Sequence, residues 1–63
     1  MSDSVNRKEQ VSLEKTPGEA IGTVEASVRD EYEIADILFA EASRFQDRWE
    51  VRLTAELAEG GDG

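Results

Sequence analysis

Residues 49–57, WEVRLTAEL, carry an apolar side chain at every odd position and a polar one at every even position. Side chains alternate across a β-strand, so this pattern reads as a strand with one dry face and one wet face. Trp49, Val51 and Thr54 also have the shapes that pack well on a pleated surface. A strand with one apolar face requires a covering layer, which fixes the class of fold around it. A helical reading competes. Ile21, Val28, Ala35, Ala42 and Trp49 recur at every seventh position, beside a companion row of Val24, Glu31, Leu38, Phe45 and Arg52. Two charges and two small alanines make that a weak seam, because heptad seams favour Leu, Ile and Val. The strand is preferred, with a long helix as the alternative.

The preceding segments supply the rest of the layer. Residues 10–15, QVSLEK, alternate Val11 and Leu13 with Ser12 and Glu14, a short strand pattern. Residues 16–19, TPGE, suit a type II turn through Pro17 and Gly18. They also fit a capping box from Thr16 to Glu19, against which Gly18 counts. In residues 20–28, Val24, Ala26 and Val28 alternate with polar residues beside Gly22, which reads as a second strand. Asp30 and Glu33 then have capping-box spacing, and Ile34, Ile37, Leu38, Ala42 and Phe45 fall on one helical face. The spacing predicts a helix over residues 31–45.

The expected fold is therefore α+β: a small β-β-α-β module with one helix on a three-stranded sheet. It occupies residues 10–58, between a flexible polar tail (1–9) and a flexible Gly-rich tail (59–63). The alternative is all-α, a long helix or coiled coil or a ribbon–helix–helix arrangement. With only 63 residues, such a chain buries roughly 60% of the surface that its unfolded state exposes. It has neither Cys nor His to add a disulfide or zinc staple. Self-association, expected as a homodimer or higher oligomer, is the remaining common remedy.

Composition also narrows function. Fifteen Asp and Glu against seven Lys and Arg give a formal charge of −8. That balance argues against nucleic acid, whose binding requires a basic face, and favours a basic protein partner. The bias to carboxylates and Arg, with only Lys8 and Lys15, resembles that of proteins from salt-loving archaea or other organisms with GC-rich genomes. No apolar run approaches the roughly 20 residues of a membrane span, and MSDSVNRKEQ lacks the apolar region of a secretory signal. A cytoplasmic location without membrane attachment is expected.

Chemistry finds little purchase. Pairs such as Asp36 with Glu41 or Glu31 with Glu33 would need a cleft to shift their pKa values. No His is present to activate Ser or Thr, and no calcium-loop motif occurs. The expectation is no catalytic residue, no metal ligand, no cofactor and no enzymatic activity. The residues expected to form the core and interaction face are Ile34, Leu38, Phe45, Trp49, Val51 and Leu53.

Two resemblances and one aromatic residue add alternatives. Residues 10–15 followed by two helices, with Arg44, Arg48 and Arg52 four apart, would resemble ribbon–helix–helix repressors, which implies a DNA-binding regulator. A β-β-α-β order ending near Gly60 and Gly61 resembles the β-grasp fold of ubiquitin-like modifiers, although Asp62 and Gly63 follow the glycine pair. Trp49, the single Trp, could stack on a flat aromatic ligand such as a flavin. The leading expectation is a small acidic protein–protein interaction module that self-associates.

Overall fold

A computed structural model provides the structure, which describes residues 3–58. The chain runs through strand β1 (Ser4–Ser12), helix α1 (Pro17–Glu31), strand β2 (Ile34–Phe45) and strand β3 (Arg48–Leu57). The alternating segment is a strand, as expected, and it is the central one. The sheet order is β1-β3-β2, with β3 antiparallel to both neighbours. One helix on a three-stranded antiparallel sheet is the α+β architecture that the sequence predicts. The order of elements differs: it is β-α-β-β, not β-β-α-β.

Two segments exchange roles. Residues 20–28, expected as a strand, lie within α1, and residues 34–45, which make up most of the helix expected over 31–45, form β2. In α1 the capping box decides. The Glu19 N–H donates to Thr16 Oγ1 at 3.2 Å, and the Thr16 N–H donates to Glu19 Oε1 at 2.9 Å. Pro17 occupies the first turn, where its missing N–H costs nothing. Ala20, Val24 and Val28 then follow at intervals of four and are fully buried, so they form the helix's dry stripe. Asp30, expected to start a helix, lies in the last turn of this one, which closes with the Tyr32 N–H on the Val28 carbonyl at 2.9 Å.

β2 misleads for a geometric reason. Ala35 and Leu38 are extra residues without a register partner on β3, so β2 carries two bulges. Its positions on the helix-covered side are consequently Ile34, Ile37, Ala40 and Ala42, the register partners of Leu57, Ala55, Leu53 and Val51. The first of these steps are three residues long, which imitates a helical period.

β1 begins at Ser4, so residues 4–9, expected as a polar tail, supply most of a strand. Its register places Val5, Arg7, Glu9 and Val11 on the helix side opposite Ala55, Leu53, Val51 and Trp49. Residues 59–63, including Gly60 and Gly61, lie outside the described residues. With one helix directly after the first strand, the element orders behind the β-grasp and ribbon–helix–helix resemblances are not those of this chain.

The core comprises Val11, Ala20, Val24, Val28, Val51, Leu53 and Ala55, with Val5, Ile21, Ile34, Ile37, Ala42 and Trp49 packed around it. At its margin Arg7 bridges Glu31 at the end of α1 at 2.6 Å and Glu9 at 3.0 Å, tying β1 to the helix. The hydrogen bonds to Glu31 and then Glu9 raise the Arg7 pKa further. The molecule measures 45 × 17 × 13 Å with a radius of gyration of 12.7 Å. A compact chain of this length would have a radius near ~10–11 Å, so the layer is long and thin.

Two outcomes follow from α1. A Cβ added at Gly22, in the helix interior, would meet nothing within 4 Å. Gly22→Ala should therefore stabilise the fold by up to about 1 kcal/mol, a rise in Tm of roughly 4–8 °C; calorimetry showing a fall would remove residue 22 from the helix. The Thr16 backbone N–H, aided by the Thr16 hydroxyl, holds the Glu19 carboxyl below its ordinary value of 4.5. A depressed carboxyl stabilises the folded state above its unfolded pKa, and this contribution disappears as pH falls through the folded value. Wild-type Tm should thus drop more steeply below about pH 4.5 than that of Glu19→Ala, and parallel acid limbs would show that the cap carries no charge-dependent stability.

Candidate interaction surface

The pleat divides the sheet into a helix-covered face and an open face. On the open face β3 presents Arg48, Glu50, Arg52, Thr54 and Glu56, flanked by Asp36, Phe39, Glu41, Ser43 and Phe45 of β2. From β1 come Ser4, Asn6, Lys8, Gln10 and Ser12. As the sequence predicts, Arg48 and Arg52 share this face with Glu50 and Glu56. Arg52 Nη2 donates to Glu50 Oε2 at 3.3 Å, and the Ser43 hydroxyl donates to Glu41 Oε2 at 2.9 Å. The Thr54 hydroxyl donates to Asn6 Oδ1 at 2.7 Å. Charges of both signs are interspersed here, and exposed pairs of this kind contribute little to stability.

The six residues expected to act together do not share one surface. Val51 and Leu53 are fully buried beneath α1, and Ile34 and Trp49 are half-buried at its margin. Phe45 lies on the open face opposite Arg48. Leu38 is the unpaired residue of a bulge and is 56% exposed. The helical face drawn from the sequence was a projection of residues that β2 distributes over both sides.

Trp49 packs against the core beside Val11, and its indole N–H donates to the Lys15 carbonyl at 2.7 Å. That bond closes the turn before α1 and satisfies the one polar atom of the ring. The ring thus forms part of the core wall, with its donor already engaged by the backbone.

The sizes of the side chains inside and outside are reversed from the usual order. The largest fully buried ones are Leu53, Val24, Val28 and Val51. The largest exposed ones are Leu38 at 56%, Phe39 at 49%, Phe45 at 48% and Tyr32 at 40%. Leu38, Phe39 and Phe45 all belong to β2, which among the described residues has β3 on one side and no strand on the other. Sequence reasoning passed over Phe39. Its signal was the unbroken apolar run Ile37-Leu38-Phe39-Ala40, more than one face of an edge strand can hide.

Among the described residues no pocket is enclosed, no group of three or more acidic side chains is arranged to hold a metal ion, and no helix is long and apolar enough to cross a membrane. The chain matches no protein-family model, and comparison with curated proteins and with solved structures finds no match either.

Exposure separates two substitutions that the sequence alone would treat alike. Leu53→Ala, at a fully buried site, should destabilise by about 2–5 kcal/mol. Leu38→Ala should change the stability of the single chain by no more than about 0.5 kcal/mol. Urea denaturation at high dilution measures both, and comparable losses would place Leu38 in the core.

Proposed function

We propose that this chain is a small, acidic, non-enzymatic interaction module that self-associates and docks on a protein partner. The carrying observation is the placement of its large side chains: Leu38, Phe39 and Phe45 lie outside, on one edge strand, while the core is built from Ala, Val and a single Leu. Aromatic side chains dominate the energetics of protein interfaces when desolvated. Left in water, each forfeits that contribution, so an edge strand that exposes several of them is suited to burial by another chain.

Charge supplies the selectivity. A formal charge of −8 steers the module toward a basic partner and away from acidic ones, through a long-range field that salt weakens.

The test is sedimentation equilibrium over a wide concentration range. The reading predicts an apparent mass at or above twice the 7.0 kDa of one chain, falling toward the single-chain mass on dilution. A single-chain mass at every concentration would contradict it.

A further inference from the structure

We propose that the outer edge of β2 receives a second copy of this chain, with the two β2 strands antiparallel about a two-fold axis at Ala42. The inference rests on the self-association reading above and specifies its surface and register. The product is one continuous sheet containing both copies of the three strands.

Backbone phase comes first. The Leu57 N–H donates to the Asp3 carbonyl and the Ala58 N–H to the Glu33 carbonyl, each at 2.8 Å. Odd residues of β3 therefore turn their backbone groups to β1, and even residues turn theirs to β2. In an antiparallel ladder the residue opposite a bonded one points back at it. Glu41, Ser43 and Phe45, the partners of Arg52, Glu50 and Arg48, consequently bond inward. Ala40, Ala42 and Arg44 present their N–H and C=O groups to the open edge.

Register comes next. Ala35 and Leu38 bulge, so residues 39–45 are the regular part of the edge, and their midpoint is Ala42. Two-fold pairing must keep each face together, because a one-residue slip reverses every side chain. Centring on Ala42 sets Phe39 opposite Phe45, Glu41 opposite Ser43 and Ala40 opposite Arg44, each twice by symmetry. All three outward-facing residues then bond across the axis, and no like charges are opposed. Neighbouring registers do worse. A centre at Glu41 opposes two carboxylates, one at Arg44 opposes two guanidinium groups, and one at Ser43 sets Glu41 against Phe45. Aromatic cross-strand pairs are favourable and like charges directly opposite are not. An isologous interface of this kind closes on itself. The β1 edge, with Arg7, Lys8 and Glu9 in succession, carries the charges that discourage further addition.

The experiment combines three single substitutions in about 1 M salt, where the Debye length is about 3 Å and repulsion between acidic chains is screened. Ala42→Pro removes an outward-pointing N–H, which an edge strand tolerates, so the single chain should keep its far-UV circular dichroism while sedimenting as a monomer. Ala42→Cys introduces the sole thiol, since the chain has no Cys. Facing hydrogen-bonded residues lie about 5.5 Å apart between Cα atoms, within the reach of a disulfide. Mild oxidation should therefore convert Ala42→Cys to a covalent dimer, whereas Lys8→Cys on the β1 edge should remain mostly unlinked. If wild type associates but Ala42→Pro associates equally and Ala42→Cys does not cross-link, the edge assignment is overturned while the self-association reading stands. If wild type is monomeric throughout, that reading fails and takes this inference with it. Should Ala42→Pro not fold, cross-linking alone decides between the outcomes.

Discussion

The burial of Val51, Leu53 and Ala55 under α1 is the contact on which the rest of this molecule depends. These side chains project from the central strand, so the residues that meet the helix also fix both neighbouring strands through the ladder. The helix answers with Ala20, Val24 and Val28, none of them longer than Val. A stripe of short side chains brings a helix close to a sheet and leaves no room for an aromatic ring between the layers. Phe39 and Phe45 lie outside because their register with Thr54 and Arg48 places them on the open face, and Trp49 packs at the margin of the core.

What the sequence reveals depends on how well each element keeps its ideal period. β3 keeps it over its whole apolar stretch, from Trp49 to Leu57, and is legible as a strand. Its central position is not legible, because alternation reports a buried face and says nothing about which edges are paired. β2 loses its period at Ala35 and Leu38, and the resulting spacing of Ile34 and Ile37 reads as helix. In α1 the positions Val24 and Val28 are four apart, a spacing that satisfies a strand's period and a helix's equally. Ala20 four residues earlier, together with the Thr16–Glu19 capping box, distinguishes the two, and Gly18 and Gly22 obscure it. Both glycines have open surroundings, so neither is required by packing.

The expected interaction face suffered from the same error. Val51 and Leu53 were legible as core because they lie on β3, whereas Leu38 and Phe45 were assigned to a helical stripe that does not exist. Correcting the element moves these two outward and brings Phe39 into view beside them. The two edges of the sheet then differ in character. β1 offers Arg7, Lys8 and Glu9 in succession, while residues 39–45 of β2 intersperse Glu41 and Arg44 with alanine and serine between two phenylalanines.

The most direct test of this account is the pattern of nuclear Overhauser effects between α-protons in the folded protein. With β3 central, Arg52 should show a cross-strand contact to Lys8, and Val51 should show one to Ala42, because both pairs are non-hydrogen-bonded neighbours in this register. Contacts from β3 to one neighbour only, or helical contacts between residues three apart through 39–45, would contradict it.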